Sequence, residues 1–339
     1  MKEEKKMSEK ISVVTGASGH VGYPLVKKLC DSGEKVRILI RKDLPIFDCF
    51  NAERVYGDVT DPASLEKAFE GAEVVYHLAG MIEIKAGNDE PVWKVNVDGT
   101  KNVVEACKKC GVKRLVYASS VDAIPPLPDN QEMAEIYDFN PDNLEGTYAK
   151  TKAVATKYVL DNNGVDGLET VVTHPGACIG PYDFKVSSVG EMVRMFVNGA
   201  FPVTLTFGAY NFVDVRDVAN GMYLASTKGI PGHCYILTGD VMTCGELISC
   251  LAKICGRKDP KIPLSLGLAN AVAPIMEVYY KALDKTPLFT RYSIRKLCSN
   301  CNFTYKKAAE DLGYAPMSAE QSFTDMVAWI KENEPKKKK

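Results

Sequence analysis

The strongest constraint on the fold of this chain is a glycine-rich octapeptide near its start. It runs Thr15-Gly16-Ala17-Ser18-Gly19-His20-Val21-Gly22, and stands between a short apolar run, residues 11–15, and a helix-forming run, residues 23–30. Each glycine has a separate physical reason to be there. Gly16 permits a tight turn off a buried strand, Gly19 lets backbone approach a pyrophosphate, and Gly22 lets the helix pack closely on the sheet. The helix N-terminus then offers free N–H groups and a favourable dipole to the phosphates. A glycine triplet alone is weak evidence, but the strand before it and the helix after it are the context a dinucleotide-binding turn requires. Thr15, Gly16, Ser18, Gly19, His20, Val21 and Gly22 are therefore candidate cofactor contacts.

The same alternation continues. Apolar runs at residues 36–40, before Gly57, 74–78, 115–118 and 170–173 read as strands buried on both faces. Helical patterns lie between them, at residues 92–110 and 148–160 and in a helix opening at Asp61-Pro62. Such an order implies an α/β, Rossmann-type doubly wound parallel sheet with a smaller C-terminal substrate-binding region. The expected division is a flexible tail over 1–10, a dinucleotide-binding core over 11–175 to which a segment near 205–240 returns, a mainly substrate-binding region over 176–330, and a basic tail over 331–339. Helices are expected at residues 306–312 and 319–330.

Composition excludes several classes. The chain has 339 residues, and its 42 Lys+Arg against 43 Asp+Glu leave no basic excess for a nucleic-acid backbone. The longest uncharged stretch of the C-terminal region, residues 262–276, is interrupted by Pro263, Asn270 and Pro274 and is shorter than the roughly 20 residues a membrane span needs. Residues 1–10 carry charges of both signs and lack the apolar core of a signal peptide, so a cytoplasmic location is expected. Eleven cysteines fit reduced thiols better than a disulfide framework. Two C-x-x-C pairs occur, Cys107 with Cys110 and Cys298 with Cys301. The first lies on a helix and neither has a glycine knuckle, so no metal is expected.

The end of the second strand bears on the cofactor. An acid there would bond the adenosine ribose, whereas an arginine accommodates the extra phosphate of NADP. Arg41 stands at that position with Lys42 beside it, and Asp43 follows. NADP(H) is accordingly preferred and NAD(H) remains an option through Asp43.

A second motif, Tyr148-Ala149-Lys150-Thr151-Lys152, places a phenol and an ammonium four residues apart on one helix face. The ammonium is expected to lower the phenol's pKa, fitting it to exchange a proton as hydride moves. Upstream, Ser119 and Ser120 end a strand at the carboxyl edge of the sheet, where ligands bind in such folds.

With these residues in view, the chain resembles the extended branch of the short-chain dehydrogenase/reductase superfamily, which includes the NAD-dependent epimerases and dehydratases. The marks are TGASGHVG, GDVTD at residues 57–61, YHLAG at 76–80, NVDGT at 96–100, YASS at 117–120, YAKTK at 148–152, HPGACIGP at 174–181 and NFVDVRDVANG at 211–221. The resemblance implies Ser120 as the substrate-orienting hydroxyl, Tyr148 as general acid/base and Lys152 as its activating partner, with Tyr148 and Lys152 also touching the cofactor. It further implies Asp58 and Val59 beside the adenine, Leu78, Ala79 and Gly80 along the cofactor, and Pro175 at the nicotinamide. Within the branch, the basic end of the second strand and the segment from Thr290 to Pro316 look most like the dihydroflavonol reductase and 3β-hydroxysteroid dehydrogenase-like group. Two positions depart from many relatives. His174 replaces an arginine and reads as a structural or pocket-rim residue. Asp214 replaces a histidine and, with Asp217, is expected to cap or brace a loop.

The function these features imply is an NADP(H)-dependent oxidoreductase that interconverts a ketone or aldehyde and its alcohol on a fairly apolar small molecule. One alternative is an NAD-dependent sugar-nucleotide epimerase or dehydratase, with Arg291 and Arg295 as basic residues for a diphosphate. Another is a non-catalytic NADP-sensing protein, against which the presence of Ser120, Tyr148 and Lys152 together argues. Residues 262–280 and 286–292 are candidate pocket walls. The resemblance also implies a homodimer contact through the helices over 92–110 and 148–160.

Overall fold

A computed structural model describes residues 10–82, 89–129, 131–199, 201, 203–282 and 291–334. Most of the two expected tails, most of the pocket wall proposed over 286–292, and the side chains of residues 275–280 lie outside the described residues.

The first half runs β1 (Ile11–Thr15), α1 (Gly22–Asp31), β2 (Lys35–Ile40), β3 (Ala52–Tyr56), α2 (Pro62–Phe69), β4 (Ala72–His77), α3 (Glu90–Trp93), α4 (Gly99–Lys109), β5 (Arg114–Ala118), α5 (Thr147–Asp161) and β6 (Glu169–Pro175). The second half runs β7 (Ala177–Ile179), α6 (Ser188–Asn198), β8 (Val203–Leu205), β9 (Ala209–Asp214), α7 (Val215–Lys228), β10 (Cys234–Leu237), β11 (Asp240–Thr243), α8 (Cys244–Ile254), β12 (Ile262–Leu264), α9 (Leu266–Ala282), α10 (Arg291–Leu297), α11 (Lys306–Leu312) and α12 (Ala319–Asn333).

Seven strands form one sheet in the order β10-β6-β5-β4-β1-β2-β3, every neighbouring pair parallel. The central strands are mostly apolar because alternate residues feed cores on opposite faces, whereas β3, at the sheet edge, carries Glu53 and Arg54. Val13, Val75, Leu115 and Tyr117 point to the side covered by α2, α4 and α5. Val14, Val74, Tyr76 and Val116 point to the side covered by α1, α7 and α11. A third core joins α6, α8 and α12 to the three-stranded sheet β11-β9-β7. Asp214 caps α7 by accepting from the Arg216 N–H, and Asp217 accepts from the Met317 N–H, the bracing roles expected of them.

Strand order reverses between β1 and β4. That crevice opens at their carboxyl ends and is where such a sheet binds ligands. Between α3 and α4 the helix is wound as a π-segment over Lys94–Asp98, a feature that sequence periodicity did not announce and that recurs at functional sites.

Candidate active site

The glycine turn sits in the crevice, and each glycine meets its own constraint. Gly16 has φ 73°, and a Cβ on it would lie 2.5 Å from the Ala79 backbone nitrogen. Gly22 presses against the Gly16 carbonyl so closely that no side chain fits. At Gly19 a Cβ would meet only the Gly16 carbonyl, 3.1 Å away, so this edge of the turn is open to an approaching group. Val21 begins α1 without a side-chain cap, leaving the helix N-terminus suited to a phosphate. These residues fit a dinucleotide.

Other expected contacts divide into supporting and open positions. The Thr15 hydroxyl is buried and accepts from the Ala79 N–H at 3.3 Å while donating to His77 Nδ1 at 2.7 Å. On its other side His77 Nε2 donates to Thr100 Oγ1 at 3.0 Å, and Thr100 donates to the Asn96 carbonyl at 2.6 Å. That sequence of donors fixes the ring's tautomer. Burial, reinforced by the nearby Lys152 charge, holds the His77 pKa down at about 3, so the ring is a neutral brace. The His20 imidazole turns toward the segment after β7, where Nε2 donates to the Pro181 carbonyl at 3.0 Å. Val59 is buried against Gly99, and Leu78 donates its N–H to the Thr15 carbonyl. Pro175 is buried at the end of β6, paired with Leu237 of β10. Ala79 and Gly80 are partly open beside the glycine turn.

Arg41 and Lys42 project into solvent from the end of β2, with Arg41 3.9 Å from Asp58. Asp43 is already engaged. Its carboxylate accepts from Arg54 at 2.7 Å, and Arg54 also binds Asp48.

The catalytic candidates converge where β5 ends. Ser120 opens a short 3-10 turn and accepts from the Asp122 N–H at 3.1 Å, while Ser119 bonds Thr156 Oγ1 of α5 at 2.6 Å. Ser119 is thus a structural tie and Ser120 the available hydroxyl. Gly146, with φ 85°, starts α5, so Tyr148 lies in its first turn and Lys152 one turn on. Tyr148 is half-buried. Burial and the Asp122 carboxylate push its phenol above the ordinary range, and a hydrogen bond with Ser120 draws it partly back.

The expected lowering of Tyr148 by Lys152 is not found in this structure. The buried ammonium donates instead to the Ala118 carbonyl at 2.7 Å and the Tyr117 hydroxyl at 3.4 Å, and sits 4.9 Å from the Tyr117 ring centroid. Helical spacing puts both groups on one face but does not choose where a flexible lysine ends. Burial pulls Lys152 itself down to about 7.

Asn96 and Asp122 were not legible from motif spacing, whereas His174 was expected as a structural or pocket-rim residue. Asn96, on the π-segment, exchanges hydrogen bonds with the Met81 backbone and donates to Thr151 Oγ1 at 3.0 Å, latching the chain after β4 to α5. Asp122, paired with Lys296 of α10 at 2.6 Å, brings a charge toward Tyr148. His174 is fully buried, donates from Nδ1 to the Ser120 carbonyl at 2.9 Å and stacks on Phe139. It is a structural support beneath the site.

All eleven cysteines are free thiols. Cys107 is packed in the core, and Cys110 donates to the Glu66 carbonyl. Among the described residues no helix is long and apolar enough to cross a membrane, and no group of three or more His, Cys, Asp or Glu is arranged to hold a metal ion. Arg295 pairs with Glu145 at 3.7 Å. Outward on α4 and α5 stand Lys101, Glu105 and Lys157.

Comparison with known proteins places this chain in a family. The model of the 3-beta hydroxysteroid dehydrogenase/isomerase family matches residues 13–233. The chain belongs to that family. Among relatives, a sterol demethylase protein B of Methylococcus capsulatus is 35% identical over 328 residues, covering 95% of this chain and 98% of the relative. A putative dihydroflavonol 4-reductase of Synechocystis is 30% identical over 329 residues, covering 94% and 93%. The crystal structure of gox2253 superposes with a TM-score of 0.84 at 30% identity, covering 97% of this chain and all of that one. The family is NAD(P)-dependent and lies in the extended short-chain dehydrogenase/reductase branch, so the protein is an oxidoreductase of that branch.

Proposed function

We propose that this family member is an NADP(H)-dependent enzyme interconverting a ketone or aldehyde and the matching alcohol on a fairly apolar small molecule. The observation that carries the reading is the meeting of Ser120, Tyr148 and Lys152 at the carboxyl end of β5. The names of the relatives, a sterol demethylase protein and a dihydroflavonol reductase, support an apolar substrate.

When bound, the nicotinamide gives or takes the hydride. Ser120 holds the substrate oxygen by its hydroxyl. Tyr148 donates a proton to that oxygen in reduction and removes it in oxidation. Lys152 puts a cation behind both, able to share its proton with a ribose hydroxyl. The exposed Arg41 and Lys42 support the adenosine phosphate of NADP(H), because Asp43, the acid that would favour NAD(H), is held by Arg54.

Tyr148→Phe tests the mechanism. We expect NADPH consumption with apolar ketones or aldehydes to fall by at least ~100-fold, with NADPH affinity by fluorescence titration unchanged. Retained turnover would overturn the role of Tyr148. Release of near-stoichiometric NAD on denaturing the purified protein would favour the epimerase or dehydratase reading instead.

A further inference from the structure

We propose that Lys185 is a third cation of the adenosine-phosphate site, delivered to the glycine turn by the segment that follows β7. The inference rests on the NADP(H) reading and adds to it a residue far in sequence from both the glycine motif and the end of β2.

The Lys185 ammonium donates to Ser18 Oγ at 3.1 Å, across the turn where α1 begins. Arg41 and Lys42 are near enough that, after burial, their charges are what holds the Lys185 ammonium below its ordinary range. One ammonium therefore meets the Ser18 hydroxyl, with two further cations close enough to act on it. Asp58 pairs with Arg41 through Oδ2 at 3.9 Å, while its Oδ1 accepts from the N–H and hydroxyl of Thr60. Among the described residues no carboxylate forms an ion pair with Lys185. Like charges brought together at the exposed edge of a phosphate turn, with a single 3.9 Å ion pair among the three, are stabilised by an anion from outside.

The backbone gives an independent reason. Lys185 sits between two non-glycine residues in the left-handed region, Tyr182 with φ 70° and Val186 with φ 51°. The second is β-branched, for which that conformation is especially unfavourable. The shape is imposed by neighbours. Asp183 is buried and accepts from the Ser187 N–H at 2.9 Å and from Arg194 at 2.8 Å, while His20 of the glycine turn bonds the Pro181 carbonyl. Tyr23 of α1 packs its ring on Tyr182 and Phe184, with centroids 4.9 and 5.1 Å away. A strained segment pinned on both sides and aiming one lysine at the phosphate turn is how a binding group is held in advance of its ligand.

The experiment compares full-length wild type, Lys185→Ala, Lys185→Arg and Arg41→Ala by fluorescence titration with NADPH and NADH, and by thermal shift with adenosine 2′,5′-bisphosphate and with ADP. Expected is a loss of about tenfold in NADPH affinity for Lys185→Ala, with NADH affinity within about twofold of wild type. Lys185→Arg should retain the preference, and the bisphosphate should stabilise wild type more than Lys185→Ala while ADP treats them alike. Equal weakening toward both cofactors, or no weakening, overturns the assignment. If Arg41→Ala discriminates between cofactors and Lys185→Ala does not, the NADP(H) reading stands and this inference falls. A wild type that prefers NADH, with neither variant discriminating, removes the NADP(H) reading itself.

Discussion

Burial raises the pKa of the Tyr148 phenol most, and Asp122 adds to the rise from outside the motif that announces the tyrosine. Its carboxylate opposes ionisation of the phenol, in addition to burial. In alcohol oxidation the phenolate must be present to take the proton, so the rate rises with pH through the phenol's pKa. In reduction the neutral phenol must be present, so the rate falls through the same pKa. Removing the negative charge favours the phenolate, and Asp122→Asn also leaves the Lys296 ammonium without its 2.6 Å partner, which acts in the same sense. Both limbs should therefore move to lower pH in pH–rate profiles of this variant, with NADPH affinity unchanged. Ser120, Tyr148 and Lys152 were legible as chemistry because their types and order are unusual together. Asn96, Tyr117, His77 and Asp122 were not, because each acquires its role from a partner between 15 and 174 residues away, which the local sequence does not encode.

At the level of elements, the central strands of the large sheet were legible because burial on both faces writes them as mostly apolar runs, whereas the edge strand β3 has a mixed composition. Their helices carry turn and cap signals at the ends, such as the Asp61 side chain that caps α2. The π-segment over Lys94–Asp98 left no comparable trace. Asn96 and Val97 are buried within it, and the Asn96 side chain bonds residues far off in sequence. The small sheet β11-β9-β7 was also obscure, since its strands are three to six residues long and joined by long excursions. Glycines separate local from tertiary constraint in a testable way. Gly16→Ala faces both a left-handed backbone and the immovable backbone of residue 79, and should cost about 3 kcal/mol or more in denaturant unfolding. Gly33→Ala has a similar φ of 77° but nothing within 4 Å, and should cost about 1 kcal/mol. Equal losses would mean that the β1 turn tolerates a shift away from β4.

Across the whole molecule, a few polar ties bind the C-terminal helix to the rest of the second half of the chain. Arg194 of α6 joins Asp183 to Glu334 beyond α12, and Arg216 of α7 joins Asp214 to Asp325 of α12. The C-terminal helix thereby holds the segment that carries Lys185. That segment and the end of β2 supply cations to the glycine turn from two distant parts of the sequence, and all three, Lys185, Arg41 and Lys42, stand exposed to solvent. Exposure makes their attraction sensitive to the ionic atmosphere, whose screening length shrinks from about 10 Å at 0.1 M to about 3 Å at 1 M salt. A dinucleotide with the additional adenosine phosphate feels this loss more than one without it. Titrations at rising sodium chloride should show the ratio of NADPH to NADH affinity falling steadily, so that background electrolyte, with no change in the polypeptide, sets how strictly the enzyme distinguishes its two coenzymes.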